Sequence, residues 1–270
     1  MKTTKVWLAV GITLVVLVGT GYALSRSYQP WQNRDGLTLE VQADKESYLP
    51  GEMNTLHFRI INKSNTSTSL YRGSTVWDGN LRVFIADNNG GFREYFGPSW
   101  GTKDTYYKDP IRLAPNQSFE TEVTVLWNHR LDTAHLNKIY AKNVDGERIK
   151  TNYALTDPGT YYIKAILYNP LTQNVVESES IQVTVEEPQG ADLEIWNKIK
   201  VDGNYGLFIQ TGGLMEHPKG AKTVKVANDL ENVLSQHPDS RYANSIRSSL
   251  SKRKEALDRL ERDKQLENNY

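Results

Sequence analysis

One long run of alternating side chains, entered through a tight turn, constrains the fold of this chain more than any other stretch. The turn is Asp157-Pro158-Gly159, in which Pro158 fixes φ and Gly159 tolerates positive φ. This turn leads into a segment with a period of two, which predicts a strand with one side suited to a core and one amphipathic side. The alternating sets are Tyr161, Ile163, Ala165 and Leu167 on one side and Tyr162, Lys164, Ile166 and Tyr168 on the other.

Shorter stretches of the same kind recur between residues 37 and 187 and predict an antiparallel β-sandwich. Turn-forming sequences separate them, among them Tyr48–Glu52 and the hairpin signal Asp87–Gly91, and the polar run Asn62–Ser69 predicts a loop. Since no helical period interrupts the strands, two packed sheets are the expected closure. The predicted strands lie at residues 37–41, 56–62, 81–85, 92–96, 119–125, 160–168 and 181–185, with an extended segment at 111–117.

The order of turns in this region resembles that of bacterial extracytoplasmic immunoglobulin-like domains. Asn116 departs from that pattern, in which Gly is more frequent. The resemblance implies a mainly β chain with an Ig-like sandwich at 37–187, and it implies no particular activity because such sandwiches serve many functions. The stretches that carry it are Tyr48-Leu49-Pro50-Gly51-Glu52 before Leu56-x-Phe58-x-Ile60-x-Asn62, then Leu113-Ala114-Pro115-Asn116, then Pro158-Gly159-Thr160-Tyr161-x-Ile163.

The spacing of Asp157, Gly159 and Tyr161 is similar to the tyrosine corner of Ig-like sandwiches. There, a tyrosine near the start of the penultimate strand bonds back to upstream backbone. Antibody domains carry a disulfide cysteine two residues after that tyrosine, whereas this chain has Ile163. These three residues are therefore predicted to have a structural role.

The amino terminus predicts export. Lys2 and Lys5 precede the uncharged, mostly apolar stretch Val6–Leu24, so residues 1–24 are either a signal peptide or an uncleaved membrane anchor. Both alternatives place the polar linker 25–36 and all that follows outside the cytoplasm. The protein is thus expected to be secreted, periplasmic or anchored to the plasma membrane by this segment alone.

The amino-acid composition excludes several kinds of partner and functional site. Lys plus Arg and Asp plus Glu both number 32, so no basic field predicts a nucleic-acid partner. The absence of cysteine excludes disulfides, thiolate zinc sites and a lipoprotein anchor, and in an exported protein it favours a bacterial source. His129, Asp132 and His135 lack the spacing of a metal motif. With no nucleophile motif either, we expect no cofactor, no metal and no enzyme, with a hydrolase as the least favoured alternative.

Residues 188–270 predict a small helical tail. A short amphipathic helix is expected at Ala191–Lys200 and a helical hairpin at about 222–265, while Tyr205–Ile209 fits either a strand or a helix. A lone hairpin needs a partner surface, which is either the sandwich or another protein. The hairpin's turn resembles that of tetratricopeptide-type repeats, in the pattern Leu230-x3-Leu234-x3-Pro238-Asp239-Ser240-x-Tyr242-Ala243.

Aromatic residues concentrate between residues 71 and 107. Trp77, Trp100, Tyr106 and Tyr107 lie there in Gly-, Ser- and Asp-rich loop sequence, where they either contact a ligand or cap one end of the sandwich. The leading hypothesis is a non-enzymatic, exported Ig-like module that makes protein–protein contacts at the bacterial envelope or cell exterior. One alternative is a carbohydrate- or peptidoglycan-binding module that uses these loop aromatics. The other is a proteinase inhibitor with an exposed loop, because similar turns occur in the sandwich fold of certain bacterial inhibitors.

Overall fold

The computed structural model describes residues 36–71, 80–88, 90–97, 110–128, 153–214 and 218–267, which form eleven strands followed by four helices. The predicted export segment, 1–24, lies outside these residues. The strands are β1 Leu37–Ala43, β2 Ser47–Tyr48, β3 Asn54–Asn62, β4 Thr68–Leu70, β5 Leu81–Asp87, β6 Arg93–Tyr95, β7 Ile111–Leu113, β8 Ser118–Val125, β9 Gly159–Asn169, β10 Asn174–Glu177 and β11 Ile181–Val185. The helices are α1 Gly190–Ile199, α2 Gly203–Thr211, α3 Ala221–Gln236 and α4 Ala243–Glu267.

Two sheets form the sandwich. The first has the order β1-β3-β8, and the second has the order β2-β11-β9-β5-β6 with β10 also pairing with β9. Strand β2 runs parallel to β11, whereas the other described pairs in these sheets are antiparallel. A small third sheet pairs β4 with β7. The predicted fold class, mainly β with an antiparallel sandwich and a C-terminal helical segment, is confirmed.

The core lies between the two sheets, where the period of two places the apolar side chains. In β9 the predicted inward set is buried, from Tyr161 at 7% exposed to Ile163, Ala165 and Leu167 at 0%. Its partners in the core include Phe58, Ile60, Val83, Val123, Val183 and Leu113.

Two predicted turns hold backbone that only certain residues adopt readily. Gly51 has φ +67° in the turn that the Glu52 N–H closes onto the Leu49 carbonyl at 3.0 Å. Asn116 has φ +63° in the turn that Gln117 closes onto Ala114. Asparagine tolerates this left-handed conformation better than other non-glycine residues, which explains how it replaces the more frequent glycine here.

The Tyr161 hydroxyl reaches back to the turn that precedes its strand. It donates to the Asp157 carbonyl at 3.0 Å and accepts the Asp157 N–H at 3.2 Å. Gly159, between them, has φ +150°. This contact fixes the entry of β9, the central strand of the larger sheet.

The short strands β2, β4 and β10 were not predicted, and β4 corrects a prediction. Residues 68–69 of the expected loop Asn62–Ser69 belong to β4. This strand forms by antiparallel pairing with β7, in which Ser69 lies opposite Arg112. Strand β10 continues the line of β11 along β9. Across the break, the Ser178 N–H donates to the Ala165 carbonyl at 2.9 Å, and the Ala165 N–H donates to the Ser178 Oγ at 2.9 Å. Such short strands depend on non-local pairing and leave little periodic signal.

The helical tail contains the predicted hairpin and an additional helix, α2. The Asp202 side chain accepts the Asn204 N–H at 3.0 Å at the start of α2, and Gly212 ends it in the left-handed conformation. Tyr205–Ile209 is therefore helical. Among the helices that the structure describes, none is long and apolar enough to cross a membrane.

The helices pack on one end of the sandwich and share a second core with it. Leu49, Leu126, Trp127 and Tyr153 of the β region enter this core, and Gly206 of α2 allows the close approach. A Cβ at Gly206 would lie 2.7 Å from the Tyr153 ring. The sandwich is thus a partner surface of the helices. The helical members of the core are Ile195, Trp196, Ile199, Tyr205, Leu207, Phe208, Ile209, Leu214, Val226, Ala227, Leu230, Val233, Tyr242 and Ile246.

Candidate binding face

The loop aromatics that the sequence singled out, Trp77, Trp100, Tyr106 and Tyr107, lie outside the described residues. Tyr71 and Asn80, the described residues that precede and follow residues 72–79, lie at the carboxyl-terminal end of β9. The Tyr71 N–H donates to the Asn169 side chain at 3.3 Å, and the Tyr168 N–H donates to the Asn80 carbonyl at 2.7 Å.

The outer face of the smaller sheet is polar and charged. Strand pairing places Arg59 between Glu40 and Glu120, with nitrogen–oxygen distances of 3.7 Å to each. His57 lies 3.8 Å from Glu122 in the next row. Water solvates such a surface well, so it has little to gain from a partner.

The outer face of the larger sheet is different, and we call it the aromatic face. Alternation on β9 directs Tyr162, Lys164, Ile166 and Tyr168 outward, and pairing with β5, β6 and β10 surrounds them with further rings and charges. These neighbours are Arg82, Phe84, Glu94, Val175 and Glu177, together with Phe92 just before β6.

Exposed apolar surface concentrates on this face. Six large apolar side chains are exposed in the part of the chain that the structure describes. Phe92, Tyr162 and Tyr168 lie on the aromatic face at 36–40% exposure, and Leu171 lies in the adjoining β9–β10 turn. Clustering of this kind marks interaction surfaces, whereas scattered apolar residues do not.

The charges on the aromatic face are paired with one another and stacked on the rings. Arg82 lies 5.2 Å from the Phe84 ring centroid and Lys164 lies 4.4 Å from that of Phe92. Arg82 also binds Glu94, whose hydrogen bond raises the pKa of the guanidinium, and Lys164 binds Glu177. The face therefore carries two cations and two carboxylates, with no net charge.

A second aromatic cluster, where the sandwich meets the helices, is structural. The rings of Trp127, Tyr153 and Trp196 are buried and meet edge to face, with centroids 5.7 and 5.4 Å apart. Beside them Arg241 of the helical tail donates to Glu52, a carboxylate with 1% of its side chain exposed, at 3.2 Å. These contacts join the two parts of the fold.

Chemically, the aromatic face is suited to binding. No cluster of three or more metal-ligating side chains occurs among the residues that the structure describes. Tyrosine, phenylalanine and arginine are the residues enriched in protein interfaces. The amphipathic side of β9 was predicted from the sequence, but its neighbours Phe84 and Arg82 were not. The alternation of inward and outward side chains within Leu81–Ile85 is the signal that could have identified them.

Comparison with known proteins gives weak structural likenesses alone. No protein family model and no curated protein matches the chain. A CARDB domain from Pyrococcus furiosus is 11% identical, with a TM-score of 0.26, over 56% of this chain and 94% of that domain. The sporulation control protein Spo0M of Bacillus subtilis is 7% identical, with a TM-score of 0.30, over 61% of this chain and 55% of its own. The DNA glycosylase AlkC of Pseudomonas fluorescens is 8% identical, with a TM-score of 0.30, over 57% and 31%. Likenesses at this level carry no information about what this chain binds.

Proposed function

We propose that this chain is a non-enzymatic, exported protein-binding module that makes contacts at the bacterial envelope or cell exterior through its aromatic face. The observation that carries the proposal is the asymmetry of the sandwich. One outer face is charged and well solvated, whereas the other holds Phe92, Tyr162 and Tyr168 in contact with water.

Burying these rings against a partner supplies the driving force for binding. Fully burying one large apolar side chain is worth roughly 1.5–3 kcal/mol, and each of these rings, with 36–40% of its surface exposed, can gain the corresponding part of it. Each cation on the face has a carboxylate partner within the chain, so the face as a whole has no net charge. It therefore suits a protein surface that also carries no excess of either charge.

The amino-terminal sequence supports the location. Lys2 and Lys5 before the apolar stretch Val6–Leu24 favour translocation of the rest of the chain, by a cleaved signal or by an anchor. In either case the aromatic face meets extracytoplasmic proteins.

The helical tail supports the sandwich in this proposal. Its hairpin, with a turn that resembles those of tetratricopeptide-type repeats, contributes Val226, Leu230 and Ile246 to the core shared with the sandwich. These side chains are thus already occupied, whereas three of the six exposed large apolar side chains among the described residues lie on the aromatic face.

Capture of partners from living cells tests the proposal. The full chain, tagged at its carboxyl terminus, is crosslinked in the source organism and recovered from envelope and medium. We expect the Tyr162→Ser/Tyr168→Ser variant to lose captured proteins that the wild type retains. The control variant Gln42→Ser/His57→Ser changes two exposed residues of the opposite outer face and should retain them.

A second pair of variants separates the alternatives. If Trp77→Ala/Trp100→Ala loses cell-wall glycan while Tyr162→Ser/Tyr168→Ser loses nothing, the loops are the site and the glycan hypothesis replaces this one. Stoichiometric inhibition of an extracellular protease, unaffected by the face variant, would favour the inhibitor hypothesis instead.

A further inference from the structure

We infer that the aromatic face binds a second copy of this chain, face to face, around a two-fold axis that runs parallel to strand β9. This inference rests on the proposed function, because it names the partner of the same face. Register, ring placement, charge and area support it.

Strand register makes the face complementary to itself in charge. Arg82 on β5 and Glu177 on β10 both lie opposite Ile166 of β9, on its two sides. A half-turn about an axis along β9 exchanges these two sides. Arg82 of each protomer then faces Glu177 of the other, so the dimer gains two opposite-charge contacts.

Residues on β9 itself lie on the axis and meet their own copies. Ile166 packs on Ile166, and the exposed rings of Tyr162 and Tyr168 stack with their equivalents, as aromatic pairs favour. Lys164 also lies on the axis, where it binds the Glu177 carboxylate of its own chain. Each of the two lysines that meet there is therefore neutralised by a counter-charge.

The charge of the face is compatible with a second copy and disfavours nucleic acid and anionic membranes. The chain as a whole and the aromatic face both have a net charge of zero, so two copies do not repel each other. Nucleic acid or an anionic membrane would require an excess of basic residues on the face.

The area of the face indicates whether the dimer can be a strong one. Four strands at ~4.8 Å spacing and seven residues at ~3.3 Å rise give a flat area of about 400 Å² per protomer. Side-chain relief raises this toward the lower limit of specific interfaces, about 600 Å² per partner. We therefore expect a weak dimer that forms at high protein concentration.

Thiol crosslinking tests this geometry directly, because the chain contains no cysteine of its own. In full-length protein, Ile166→Cys places one thiol of each protomer on the axis. Since packed sheets lie about 10 Å apart, these thiols are too far apart for a disulfide, and we expect a short bismaleimide reagent to yield a covalent dimer. The control His57→Cys, exposed on the opposite outer face, should stay monomeric.

Charge reversal tests the predicted contact between Arg82 and Glu177. In the Ile166→Cys background, Arg82→Glu and Glu177→Arg should each lower the covalent dimer yield about ten-fold, since like charges then face each other. Mixing the two variants pairs each reversed charge with its opposite and should restore the yield as a heterodimer. Arg59→Glu, on the opposite face, should leave the yield unchanged.

Three outcomes would overturn the inference: no Ile166→Cys dimer at high protein concentration, equal trapping from His57→Cys, or no restoration on mixing. The wild type could instead be monomeric and still capture another protein that the Tyr162→Ser/Tyr168→Ser variant does not capture. In that case the second copy is wrong as the partner, and the proposed function stands. If neither a dimer nor a captured protein is found, both fail.

Discussion

Replacing Gln210 with leucine removes the side chain that ties helix α2 to the end of strand β8. Gln210 is 6% exposed, and its Oε1 accepts a hydrogen bond from the backbone N–H of Trp127 at 2.7 Å. Its Nε2 donates to the Thr124 carbonyl at 2.8 Å and to the Tyr95 hydroxyl at 3.0 Å. One amide thus satisfies polar groups on two strands of the sandwich.

The expected cost follows from what each group loses. Leucine preserves the side-chain volume but leaves the backbone N–H of Trp127 buried without a partner, which costs about 1–3 kcal/mol of stability. The Tyr95 hydroxyl keeps contacts with Thr124 and Leu126 at 3.3 Å, so its loss is smaller, about 1 kcal/mol. We expect a total loss of roughly 2–4 kcal/mol in the free energy of unfolding.

Urea unfolding, followed by tryptophan fluorescence and by helical circular dichroism, measures this loss. Both signals should move together, since sandwich and helices share a core. Gln236→Leu, on an exposed position at the end of α3, should change the free energy of unfolding by less than about 0.5 kcal/mol. A loss below about 1 kcal/mol for Gln210→Leu, or a shift in the helical signal alone, would contradict the role assigned to Gln210.

Two further predictions concern tyrosines. Tyr161→Phe removes both hydrogen bonds to Asp157 and should cost about 1–2 kcal/mol in urea unfolding, whereas Tyr168→Phe should cost little because its ring is exposed; equal effects would contradict this account. Burial raises the pKa of Tyr95 from 10.0 to about 12, so the folded state favours the neutral phenol. Its contribution to stability is complete below the unfolded pKa and is lost as pH rises through the folded value. Between pH 10 and 12, Tyr95 should thus contribute about 1 kcal/mol per pH unit to the fall in the free energy of unfolding, in addition to the contributions of other tyrosines with raised pKa values, so the fall should be less steep in Tyr95→Phe; equal slopes would contradict the assignment.

The long strands could be predicted because each buries one side only. In β9 the inward side chains Ile163, Ala165 and Leu167 are fully buried, and the outward ones are not, which leaves a clear period of two. Strand β2 has two residues and exists through its pairing with β11, so its sequence carries no comparable signal.

Helix α2 was ambiguous for a physical reason. All residues from Tyr205 to Gln210 are buried, so the helix has no polar side and its sequence no helical period. A buried helix and a buried strand look alike in such a short apolar run.

The aromatic face was predictable in part. The amphipathic side of β9 followed from Tyr162, Lys164 and Tyr168, but strand order is non-local, so the placement of Phe84 and Phe92 beside them was not readable. The role of Trp77 and Trp100 stays a prediction, because both lie outside the described residues.

Site-specific photocrosslinking in living cells shows whether the aromatic face is where this chain meets another protein. A photoreactive phenylalanine analogue is placed at Tyr168, or at Gln42 on the opposite outer face. Both positions are exposed, so the two probes are matched in accessibility. The account predicts protein adducts from position 168, with itself or with another protein, and none from position 42. Adducts from position 42 alone, or from neither position, would contradict it.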